Sequence, residues 1–220
     1  MSTILILFII IGLTLYGLQE YYQIRLGIRP RRTPSSVISY LTLMLQDLSE
    51  NGSFLDLGSG YGTTVFGLAK QLPGWELTGV EKSPTPWILA NLMSAAKNYG
   101  NYRFLLDDAT VVSLNNYTVI FADQNVTLMK RWEAGLARRL NMGTLLVSLN
   151  APLPRVRAFN KVTIDEANTL YFYQKTEQQA APAPQQQAQP APQAAPPQMP
   201  QNEQPTEYPA GSMPPSGSSS

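Results

Sequence analysis

The stretch Phe54-Leu55-Asp56-Leu57-Gly58-Ser59-Gly60-Tyr61-Gly62, followed by Gly79-Val80-Glu81, constrains this chain more than any other part of it. It reads as a buried strand, a glycine-rich turn, a helix and a second strand that ends on an acid. Glycines at alternate positions let the backbone turn sharply and come close to a ligand with no Cβ in the way. The amides that open the following helix then face the ligand's polar end. An acid at the end of the second strand is placed to accept hydrogen bonds from both hydroxyls of a ribose. The pattern predicts a nucleoside-binding βαβ unit at the carboxyl edge of a parallel sheet.

The spacing Gly-x-Gly-x-Gly differs from the Gly-x-Gly-x-x-Gly of dinucleotide enzymes. Asp56 stands two residues before the first glycine and brings a carboxylate to the turn. That charge repels a pyrophosphate and suits a cationic amino-acid moiety. The plainer reading is a turn that only tightens a strand–helix junction. With Asp56 in front and Glu81 behind, the run resembles motifs I and II of the class I S-adenosylmethionine (SAM) methyltransferases. The resemblance implies that Asp56 interacts with the methionine end of SAM, Gly58, Ser59 and Gly60 line the cofactor, and Glu81 holds its ribose.

The 220-residue chain contains no cysteine and no histidine. Disulfides, thiol nucleophiles, histidine bases and the common zinc sites are thereby excluded, and no metal site is expected. The remaining inventory of carboxylates, amides, hydroxyls and backbone dipoles suits a cofactor that carries its own leaving group. The enzyme's task is then to position the acceptor in line. With a formal net charge of +1 and no basic stripe interleaved with aromatics, the sequence offers no nucleic-acid surface.

Residues Ile4 to Leu18 form an unbroken apolar run. A secretory signal requires a basic n-region and a small-residue cleavage site, and neither is evident. A soluble surface helix requires a polar face, which this run lacks. A single membrane helix over residues 1–22 fits best, although it is short for a span. Tyr16, Tyr21 and Tyr22 suit an interface, and Arg25, Arg29, Arg31 and Arg32 follow, which keeps the domain cytoplasmic. Residues 176–220 are almost all Gln, Ala, Pro, Ser and Gly, carry eleven of the eighteen prolines and lack the apolar content to fold. They read as a disordered spacer.

Between them, residues 23–50 form a linker and a leading helix, with Ser35 and Ser36 as its capping residues. Residues 51–175 alternate strands and helices: strands at 53–57, 75–81, 102–107, 116–122 and 143–149, then an antiparallel pair at 161–164 and 169–173. The fold class is α/β, and the resemblance implies the Rossmann-like seven-stranded sheet of class I methyltransferases in the order 3-2-1-4-5-7-6. Asp108, in Asp107-Asp108-Ala109-Thr110, takes the place where an acid recognises the adenine amine in that class, with Asp107 second. The alternative is that both acids cap the next turn. Asp123, in Ala122-Asp123-Gln124-Asn125, is the candidate to hold or deprotonate an acceptor amine, with Gln124 and Asn125 beside it. The alternative for Asp123 is the N-cap of the helix 126–140. Lys130, Arg131, Arg138 and Arg139 read as that helix's solvated face.

A membrane helix, the linker Thr33-Pro34-Ser35, the run Asp56-Leu57-Gly58-Ser59-Gly60 and Gly79-Val80-Glu81-Lys82-Ser83-Pro84 together look like the small membrane-anchored lysine methyltransferases. Mitochondrial members of that group modify the ADP/ATP carrier and the ATP synthase c-subunit. This chain departs from them at Tyr61, Thr63 and the loop at Asp123. The resemblance implies a lysine on a membrane protein as the acceptor. A lipophilic small molecule drawn from the bilayer is a second reading, and a SAM-binding but inactive membrane adaptor is a third.

Overall fold

The computed structural model describes residues 2–27, 31–97 and 99–175, so the Pro/Gln-rich segment 176–220 lies outside it. The elements in chain order are α1 (Thr3–Leu26), α2 (Ser35–Leu48), β1 (Gly52–Leu57), α3 (Thr63–Ala69), β2 (Trp75–Glu81), α4 (Pro84–Lys97), β3 (Tyr102–Leu106), β4 (Val119–Ala122), α5 (Val126–Arg139), β5 (Leu145–Leu149), β6 (Asn160–Asp165) and β7 (Asn168–Gln174).

The seven strands form one sheet in the order β3-β2-β1-β4-β5-β7-β6, as the resemblance implied. Strands β1 to β5 run parallel, and β7 pairs antiparallel with both β5 and β6. Because β1 has parallel partners on both sides, its residues are apolar on both faces. Phe54 packs with Phe121, Leu77 and Trp75 on the side of α2 and α3. Leu55 and Leu57 pack with Val80, Ile120, Met129 and Leu136 on the side of α5. Side chains alternate along a strand, so Asp56 shares the face of Phe54 and looks toward α3. The register sets Leu57 beside Val80 and Ala122, which brings the carboxyl ends of β1, β2 and β4 level.

Two local expectations are corrected. Ser35 and Ser36 do not cap α2: Pro34 holds the cap position with no side-chain bond, and the Ser36 hydroxyl donates to Asp165 on β6 at 2.9 Å. The fixed φ of Pro34 already sets the entry angle, so the first serine falls inside the helix. Arg139 is no solvated side chain either. Its guanidinium donates to the carbonyls of Val112 at 2.7 Å and Ala109 at 3.0 Å, pinning the loop that follows Asp108.

Helix α1 extends to Leu26, beyond the expected end of the apolar segment at residue 22. Residues 3–14 are exposed throughout, whereas Leu15, Leu18, Gln19, Tyr22 and Gln23 are buried or half-buried at helical spacing. That stripe meets α4, where the Thr85 hydroxyl donates to the Leu15 carbonyl at 3.1 Å. Docking of one half of α1 was not readable from a run that is apolar on every side.

Candidate functional site

The turn after β1 is built by backbone bonds across to β2. The amides of Gly58 and Ser59 both donate to the Val80 carbonyl, at 2.8 and 2.9 Å. Gly58 has a φ of +78°, and a Cβ there would stand 2.1 Å from Gln124 Nε2. Only glycine meets both conditions, which explains this residue type at the bend. The Gln124 amide fills the space left open, donating to the Leu57 carbonyl at 3.1 Å.

Above the level strand ends lies a cavity of about 470 Å³, a size typical of small-molecule sites. Asp56, Gly58, Ser59, Glu81, Asp108 and Asp123 line it together with Asp107, Gln124 and Asn125, so nine of the ten residues that the sequence offered for the site are brought together. Gly60 does not line it. Its amide instead donates to Glu81 Oε2 at 2.9 Å, while Glu81 Oε1 accepts from the Ser83 amide at 2.7 Å.

The lining is crowded with acids. Asp56 is almost fully buried, and among the described residues no basic side chain pairs with it. Burial pushes its carboxyl up to about 8, the nearby charges of Asp123 and Glu81 add to the rise, and a hydrogen bond from Thr64 opposes it. Asp123 is also raised by burial, in part offset by the Arg31 guanidinium, whose Nη2 lies 2.8 Å from Asp123 Oδ1. Burial acts to raise Asp108 too, but bonds from Lys82 and Thr110 outweigh it and hold this carboxyl below its usual range.

The N-cap of α5 is Asn125, whose side chain accepts from the Leu128 amide at 2.8 Å. The capping alternative for Asp123 is thereby overturned, and Asn125 is occupied at the helix end. Asp108 does hold the turn that follows it, through Thr110, while still facing the cavity.

Sequence reasoning missed Arg31, Thr33, Thr64, Lys82 and Trp132, all on the cavity wall. For Trp132 a signal existed. Leu128, Arg131 and Trp132 recur at i, i+3 and i+4 on α5, one face of a helix. Arg131 is exposed, as expected of a solvated face, and also lines the cavity. Two buried polar atoms of lining residues, Ser59 Oγ and Gln124 Oε1, have no partner. Unsatisfied groups of this kind inside a cavity suit a polar ligand.

No protein-family model and no curated protein matches this sequence. Solved structures do. An RNA methyltransferase from Salinibacter ruber, in complex with S-adenosyl-L-homocysteine, superposes with a TM-score of 0.61 at 24% identity, over 67% of this chain and 95% of its own. MtNAS in complex with MTA and tNA gives 0.55 at 14% identity, over 64% of this chain and 60% of that one. A mutant of MtNAS in complex with S-adenosylmethionine gives 0.52 at 16% identity, over 62% and 61%. The chain thus spans less than two thirds of the MtNAS length. With the strand order, these likenesses establish the class I methyltransferase fold.

Two outcomes follow from this geometry. Gly58→Ala combines a left-handed backbone, at about 1–2 kcal/mol, with displacement of Gln124. It is expected to lower the urea unfolding free energy by about 2 kcal/mol or more. Asp56 gives a pH dependence. Its unfolded value is near 4 and its folded value about 8, so the folded state holds the extra proton in between. That contribution is complete below about pH 4 and is lost as pH rises through about 8. Unfolding free energy of the wild type should therefore fall across this window relative to Asp56→Asn; parallel profiles would show that Asp56 titrates normally.

Proposed function

We propose that the protein is a membrane-anchored methyltransferase that uses S-adenosylmethionine and transfers the methyl group to an amine, a lysine of a membrane-associated protein. The observation that carries this reading is the buried Asp56 carboxyl, free of any basic partner among the described residues, in a cavity walled by further acids. What Asp56 lacks is a cationic partner, and SAM carries both an ammonium and a sulfonium.

The residues fit the cofactor. Asp56 would take the ammonium, the Gly58–Ser59 turn and the orphaned Ser59 Oγ would take its polar end, Glu81 the ribose hydroxyls and Asp108 the adenine amine. Each Glu81 oxygen accepts one backbone bond and retains capacity for another. When bound, SAM supplies a methyl group activated by a sulfonium leaving group. The chain's own part is to hold the acceptor and take its proton. Asp123, raised by burial, is suited to accept a proton from an ammonium whose charged form burial also disfavours. The freed amine would then be held at the Asp123 side of the cavity, in line with that methyl group. The RNA substrate class of the Salinibacter ruber neighbour is not carried over, because the sequence shows no basic stripe interleaved with aromatics.

Anchoring rests on α1, whose segment Thr3–Arg25 is long and apolar enough to cross a membrane. Arg25 and Arg32 keep the domain, residues 51–175, on the cytoplasmic side. Arg25 and Gly27, at the end of α1, line the cavity. That proximity favours an acceptor at the membrane, and it also supports the second reading, a lipophilic small molecule that enters from the bilayer.

The deciding experiment supplies tritiated SAM and the purified full chain to membranes from a source strain that lacks the gene, with label resolved by gel and by lipid extraction. A discrete protein band is expected, lost with Glu81→Ala, which should weaken SAM binding about tenfold or more. Label in the lipid phase would replace the lysine reading with the small-molecule one. Absence of any Glu81-dependent label, with SAM binding measured separately, would leave an inactive SAM-binding adaptor.

A further inference from the structure

The cavity is bordered on one side by residues 31–34, a short strap that leads into α2. The strap is fastened at Thr33, a buried residue. Its amide donates to Thr63 Oγ1 at 3.3 Å, and its hydroxyl lies 2.8 Å from Thr64 Oγ1. Two residues earlier, Arg31 reaches back over the cavity to Asp123.

The two members of that ion pair differ in their settings. The Asp123 side chain is 12% exposed and belongs to the wall, whereas Arg31 is 59% exposed and arrives from outside. The contact is a single nitrogen–oxygen bond, not the paired fork that gives arginine its strongest hold on a carboxylate. The carboxylate is therefore fixed and the cation exchangeable. Burial also disfavours the Asp123 carboxylate, so it gains from any positive charge placed beside it.

We propose that Arg31 is a built-in occupant of a cation site at Asp123, and that an alkylammonium acceptor enters by displacing it. The strap then acts as a competitive restraint on the acceptor side of the cavity and sets the acceptor class as cationic rather than neutral. This rests on the methyl-transfer reading for its biological meaning, but its test does not require turnover.

The test titrates n-butylammonium, with n-butanol as the neutral control, into the isotopically labelled full chain in detergent, following the Trp132 indole on the cavity wall by NMR. Displacing an ion pair with one exposed partner is a modest cost, so Arg31→Gln should bind n-butylammonium about fivefold more tightly than the wild type. Arg31→Lys, which keeps the charge, should bind it as the wild type does. Adding Asp123→Asn to Arg31→Gln should remove the gain, and n-butanol should show none. Equal affinities in wild type and Arg31→Gln, or a gain that survives Asp123→Asn, would overturn the proposal. SAM binding to the same wild-type sample is measured in parallel. Its failure would sink the cofactor reading alone, leaving the fate of Arg31 to the alkylammonium series.

Discussion

Glu81 sits at the end of β2 with each carboxylate oxygen bound to a different stretch of backbone, Gly60 on one side and Ser83 on the other. Hydrogen bonds to a charged group contribute about 1.5–3 kcal/mol each. One buried side chain thus ties the turn after β1 to the turn that opens α4. The same carboxylate is the group the sequence offered for a ribose. Its structural duty and its proposed binding duty do not conflict, because the backbone bonds fix the direction in which the remaining lone pairs point. An enzyme that must not reorganise during binding benefits from a ligand group that is already held.

The acids of the cavity are not all answered by a cation. Lys82 answers Asp108, and Arg31 answers Asp123, but Asp56 has only hydroxyl and like-charge neighbours among the described residues. Retaining a proton is the cheapest response available to a buried acid. An empty site of this kind is therefore chemically different from a filled one, since a cationic ligand permits Asp56 to ionise and the proton must leave.

Much of this was legible in the sequence because it is local. Trp75 and Glu81 bound β2 as read, the glycine run turns where expected, and Pro84 opens α4. Strand alternation carried the sheet order through resemblance. The rest depends on contacts that spacing does not encode. Arg31 and Asp123 are separated by 92 residues and meet only because the strap crosses the strand ends. Arg139 looked like one more surface cation on α5 until the loop at Ala109–Val112 presented its carbonyls. Ser35 and Ser36 satisfied the compositional rule for a cap, and a neighbouring proline took the position first.

The half-docked state of α1 sets a limit on depth. Residues 3–14 are the part of the helix clear of the domain, and at 1.5 Å per residue they reach about 18 Å. A hydrocarbon core is about 30 Å thick. While Leu15 to Gln23 rest on α4, that exposed length is all that a bilayer could take in. A full crossing requires that stripe to leave α4, and the four-residue step from Gly27 to Arg31 extends no further than about 14 Å. In an anchored protein so short a tether would couple the depth of α1 to the position of Arg31, and bilayer thickness would become a mechanical variable of the cavity mouth.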